Sequence, residues 1–145
     1  MSYNLEQFNS GYMSLTSGGL AVTTDKTKFK TVNTITYILN GIFYSKAATD
    51  NLAFSAGHTA LAASQSCVFA VWLDSAGNVT TTQGPIVASG DPCPVPTSNG
   101  ARALIGLIKV VCSAAGAFTP GSTNADATGV TTTYTNAAVM PGTAQ

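Results

Sequence analysis

Charge is nearly missing from this chain: Asp, Glu, Lys and Arg supply only 8% of its 145 residues, about a third of the share usual in a soluble domain. The six bases balance the six acids, so the formal charge is zero. Without a net field nothing steers the protein toward phosphate backbones or anionic membrane surfaces, and neither nucleic acid nor membrane is an expected partner. Long apolar runs are missing too, none approaching the ~20 residues of a spanning helix. The opening MSYNLEQFNS lacks a basic segment followed by an apolar one, so synthesis in a cytoplasm, with the chain soluble there, is the expectation.

Catalytic side chains are equally scarce. Histidine occurs once, as His58, and glutamate once, as Glu6. A general base needs a nucleophile or an orienting carboxylate within reach, and FSAGHTALAAS signposts neither, so His58 reads as a loop or strand-end residue. Asp25, Asp50, Asp74, Asp91 and Asp126 stand singly in turn-forming stretches, where an Asp carboxylate bonds nearby backbone; a calcium loop would cluster them. Ser17-Gly18-Gly19 and Gly121 lack the strand, loop and helix setting of a phosphate cradle. Cys67, Cys93 and Cys112 match neither CxxC zinc spacing nor a secreted disulfide framework. Free thiols are expected, with Cys93, between Pro92 and Pro94, on an exposed loop. The chain is therefore expected to be no enzyme and to hold no cofactor and no metal.

What the sequence does carry is strand signal. In VNTITYILNGIFYSKA, Asn40-Gly41 sits between β-branched and aromatic runs. Such a pair supplies the positive φ angles of a tight hairpin turn, setting Leu39 opposite Ile42, Tyr37 opposite Tyr44 and Ile35 opposite Lys46. A second hairpin follows in SCVFAVWLDSAGNVTTTQ, with Asp74 to Asn78 as its loop. Its first strand is apolar on both faces, so Cys67, Phe69, Val71 and Leu73 point one way and Val68, Ala70 and Trp72 the other. The threonine-rich partner, Val79 to Gln83, is expected to be exposed. GPIVASGDPCPVPTSNG holds four of the six prolines and reads as a long loop. ARALIGLIKVVCSA reads as a central strand covered on both sides, and VTTTYTNAAV as a half-buried last strand.

Turn signals roughly every ten residues and about five to eight strands favour an all-β fold, an antiparallel β-sandwich or small β-barrel. Residues 20–145 form its single domain. Residues 1–19 precede it as an N-terminal arm or short helix, since Leu5, Phe8, Tyr12 and Leu15 line one side at helical spacing. So short a segment needs a docking surface, on its own domain or on a neighbour. Tyr3, Leu5, Phe8 and Tyr12 are the candidate docking residues, and Val68, Trp72 and Ile108 the candidate oligomer interface. Lys26, Lys28 and Lys30 alternate, which in an extended segment puts three ammonium groups on one side; a solvated edge strand explains them better than phosphate contact.

The ordered succession YILNGIFYSKAATDNLAFS, SCVFAVWLDSAGNVTTTQGP, GARALIGLIKVV and FTPGSTNADATGVTTTYTNA resembles small virion structural proteins of tailed bacteriophages, over roughly Val32 to Gly142. The resemblance implies a place in the virion, as a capsid decoration (cement) protein or a head-fibre or tail component. It also implies a homo-oligomer, with a trimer favoured, bound to the major capsid protein or another virion protein. It carries over no catalytic residue. The alternative is a carbohydrate-binding β module that recognises host surface glycans through Trp72 and the tyrosines.

Overall fold

The computed structural model describes residues 11–97 and 100–138. Eleven strands follow one another: β1 Tyr12–Ser14, β2 Leu20–Val22, β3 Phe29–Thr31, β4 Ile35–Leu39, β5 Ile42–Lys46, β6 Thr49–Leu52, β7 Gln65–Leu73, β8 Val79–Gln83, β9 Val87–Ala88, β10 Ala103–Cys112 and β11 Val130–Asn136. They form three antiparallel sheets, ordered β1-β4-β5, β2-β3-β6 and β11-β10-β7-β8, with β9 added to the start of β7, and none closes into a barrel. The fold is all-β and sandwich-like. More strands appear than the turn spacing predicted because β1, β2, β3, β6 and β9 are two to four residues long, too short to show alternation.

The β4–β5 hairpin forms where expected. Asn40 and Gly41 take φ values of 52° and 82°, the left-handed pair that lets a two-residue turn match the twist of the strands. The register is Leu39 with Ile42, Tyr37 with Tyr44 and Ile35 with Lys46. The β7–β8 loop is held by the Asp74 carboxylate, which accepts from the amides of Ala76 and Asn78 at 2.9 Å each.

In the large sheet β7 and β10 are central. Cys67, Phe69, Val71 and Leu73 on β7 share a face with Ile108, Val110 and Cys112 on β10 and with Val130 and Tyr134 on β11. Against that face lie Leu20, Phe29, Ile35, Tyr37 and Leu39 from the two smaller sheets, closing one core. Phe54, half-buried, packs against this core with ring centroids 5.4 Å from Phe29, 5.1 Å from Phe69 and 6.0 Å from Phe118 in edge-to-face geometry, the arrangement that aligns ring edges with ring faces. Phe54 and Phe118, outside the named strands, thus add rings to Phe29 of β3 and Phe69 of β7.

Several expectations change. From Tyr12 onward the segment before Gly18 is extended rather than helical and docks on its own domain: β1 pairs with β4, and Leu15 donates its amide to Thr36 O at 2.8 Å. Its apolar spacing suits a helix, but pairing with β4 satisfies the backbone and buries Ser14, a gain that an isolated helix turn does not offer. The threonine strand β8 is half covered, because residues 54–59 lie across its edge. Ser55 and Thr81 exchange amide-to-hydroxyl bonds at 2.9 Å, and Gln83 both accepts from Thr59 N and donates to Thr59 O. On β10, Lys109 is exposed and Leu104, Leu107 and Val111 are half-buried, so this central strand is fully covered on one face only.

Candidate interaction surface

His58 lies in the strap over β8, with Nε2 2.7 Å from Thr81 Oγ1 and its ring edge-on to Phe69 at 5.2 Å. The Thr81 hydroxyl also accepts the Ser55 amide, and the tautomer of the imidazole decides whether it donates to Nε2 or accepts from it. Burial lowers the His58 pKa from its ordinary value. No carboxylate bonds this ring among the described residues, and the side chain acts as packing.

Asp25 and Asp74 serve turns, whereas Asp50, expected in one, lies in strand β6. Asp25 bonds Lys28 at 2.8 Å and accepts from Thr27, and the Lys28 ammonium, with the Thr27 bonds, pulls its pKa down to about 2. Among the described residues no group of three or more His, Cys, Asp or Glu side chains is placed to hold a metal ion. All three cysteines are free. Burial pushes the Cys67 thiol up to about 11, while Cys93, half-buried, lies with Sγ 3.2 Å from Ser66 Oγ.

Lys26, Lys28 and Lys30 do not share a face. Only Lys30 is in a strand, β3, which is central in its sheet; Lys26 is paired with Asp126 and Lys28 with Asp25. A turn over residues 24–28, held by the Asp25 carboxylate, replaces the expected extended edge.

Of the residues expected at interfaces, Tyr3, Leu5 and Phe8 lie outside the described residues. Ile108 is fully buried in the chain's own core, so it presents nothing to a neighbour. Val68 and Trp72 sit on the second face of β7 but are also covered, Trp72 keeping 7% of its surface. The proline loop returns to Gly84, bringing Pro94 O and Pro96 close to it where its amide donates to Val68 O. Trp72 is therefore closed to a sugar ring, and its Nε1 is buried without a partner among the described residues.

Of the named candidates among the described residues Tyr12 alone is open, at 45%, and the same sheet exposes two residues that the sequence reading passed over: Ile42, 58% exposed, and Phe43, 65% exposed. Tyr12, Leu39 and Ile42 form one row across the β1-β4-β5 sheet, and Met13, Ile38 and Phe43 the next, on the opposite face. Two apolar residues in succession after the Asn-Gly turn were the available signal: they point to opposite faces, so a sheet with one buried face must expose one of them. Their partners on β4, Leu39 and Ile38, are buried, whereas Ile42 and Phe43 are exposed on β5, the outer strand of its sheet. Beside β1 an open cleft of about 370 Å³ is lined by Tyr12, Met13, Leu104, Asn136 and Ala138.

The backbone of β5 completes this surface. With a two-residue turn, Leu39 and Ile42 exchange main-chain bonds, and alternation then directs the N–H and C=O groups of Phe43 and Ser45 away from β4. No other strand pairs with β5 among the described residues. The arrangement is an edge whose main-chain groups have no strand partner among the described residues, flanked by the apolar side chains of Ile42 and Phe43. Comparison with protein-family models, curated proteins and solved structures gave no match.

Proposed function

We propose that the chain is a non-catalytic structural subunit of a bacteriophage particle, a decoration protein that sits on the outer capsid shell and reinforces contacts among capsid subunits. The observation that carries this reading is the open β5 edge, apolar on both faces, at the end of an otherwise nearly uncharged sandwich. Such an edge gains affinity from strand addition and from burial of Ile42 and Phe43. The phage setting comes from the ordered strand motifs described above, which fall on β4–β5, β7–β8, β10 and β11. The carbohydrate-binding alternative loses its main support with Trp72 covered.

Purified chain mixed with capsids that lack it should co-sediment with them and occupy regular positions in averaged electron images. Failure to co-sediment, together with millimolar or tighter glycan binding, would replace this proposal by the carbohydrate-binding one.

A further inference from the structure

Every other exposed strand edge among the described residues is short, capped, twisted or polar. β1 and β2 have three residues each. β6 carries Asp50 and is twisted at Asn51, whose φ is 56°. β8 is capped by the side-chain bonds of Ser55 and Gln83. β11 presents Thr131, Thr133 and Thr135 on its outer face. These are the devices that keep sheets from joining edge to edge.

β5 has only one of them, a single terminal charge. It has five residues in unbroken register, no proline, no bulge and one charge, Lys46, at its far end. Its outward main-chain groups call for an extended strand rather than a helix or a small molecule. The chain's zero net charge removes the repulsion that would hold two copies apart.

We infer that β5 is a two-fold self-association site, where β5 of one copy pairs antiparallel with β5 of a second copy. The register follows from the backbone. Phe43 and Ser45 carry the outward groups, so Phe43 of each copy bonds Ser45 of the other about an axis at Tyr44. Ile42 then lies opposite Lys46 of the other copy, whose aliphatic stem covers it while the two ammonium groups stay apart at opposite ends. The two Tyr44 rings meet at the axis, each already stacked on its own Tyr37 at 5.5 Å. The three-stranded sheet becomes a continuous six-stranded one, doubled from the observed order. This contact is isologous and hence two-fold, in place of the trimer that the resemblance implies. It rests on the reading of the chain as an assembling subunit and names its first partner.

Native mass spectrometry at micromolar concentration tests it on the full chain beside three variants. Phe43→Lys puts a charge on the edge, and Ser45→Pro removes one outward N–H without touching the bonds to β4. Thr133→Lys changes the distant exposed face of β11. The unmodified chain and Thr133→Lys should be dimers; Phe43→Lys and Ser45→Pro should be monomers with unchanged circular dichroism. A monomeric or trimeric unmodified chain, or a dimer indifferent to both β5 changes, overturns the inference. Should either variant fail to fold, amide exchange on the unmodified chain decides: protection at Phe43 and Ser45 must fall on dilution, and concentration-independent exchange overturns it. A monomer that still decorates capsids would end this inference and leave the particle role standing; a dimer that never binds capsids would do the reverse.

Discussion

Tyr37 donates its phenolic hydrogen to the main-chain oxygen of Asp74 at 2.8 Å, tying the hairpin of the small sheet to the turn of the large one. Burial, with the charge of Asp74 nearby, raises the Tyr37 pKa and keeps this donor protonated. Tyr37→Phe keeps the packing and strands the acceptor. It should lower stability by about 1–2 kcal/mol, read as a fall in the denaturation midpoint with unchanged slope. No loss would mean that water replaces the bond at no cost.

Acid should loosen the strap over β8. Because burial depresses the folded-state pKa of His58 below its ordinary 6.5, the unfolded chain binds the proton more readily. Stability from this group is thus complete above the unfolded value and declines as pH falls through 6.5 toward the folded pKa. Thermal melts between pH 7.5 and 5 should show the decline, and His58→Gln should flatten it. An equal slope in the variant would assign the effect to another group.

Thiol labelling should proceed in two stages. Cys93, half-buried, should react first in the native protein, while Cys67 and Cys112, buried and with pKa values raised by that burial, should react only on unfolding. Intact-mass analysis after brief alkylation reads the count directly. Early modification of Cys67 would contradict its placement.

Gly116 packs its main chain against that of Gly129, where φ is 78°. A methyl group at 116 would meet the Gly129 carbonyl, which has no side-chain freedom with which to yield. Gly116→Ala should cost about 1–3 kcal/mol, whereas Gly121→Ala, in open space, suffers only its backbone strain at φ 78°. Paired denaturant titrations of the two variants separate collision from strain.

The sequence made local pairing readable and left long-range covering hidden. Asn40-Gly41 determined a register residue by residue, and the double-faced apolar run of β7 announced a buried central strand, since both depend on neighbours along the chain. The approach of Pro94 and Pro96 to Gly84, beside Val68, depends on a proline loop that returns from far along the chain, and the half-covering of Thr81 on a strap from residues 54–59; neither loop has a periodicity to reveal where it lands. Ile108 was misread as available for the same reason: its strand is apolar on both faces by composition, and only the opposite layer decides which face is inside. The surface at Ile42 and Phe43 was written in the hairpin, but that β5 is the outer strand of its sheet shows only in the fold.

The four-phenylalanine cluster has a consequence in time. Phe29, Phe54, Phe69 and Phe118 come from widely separated stretches of chain, and Leu61 meets Phe118 in an isolated bridge. During synthesis the earlier three rings emerge with one wall of their packing still missing, and β10 and β11 are later still in joining β7. Assembly of this core must therefore await closure of long loops, a topology associated with folding over about milliseconds to seconds. Until Phe118 arrives, a chain with so little charge has scant repulsion to keep it from its neighbours on the ribosome.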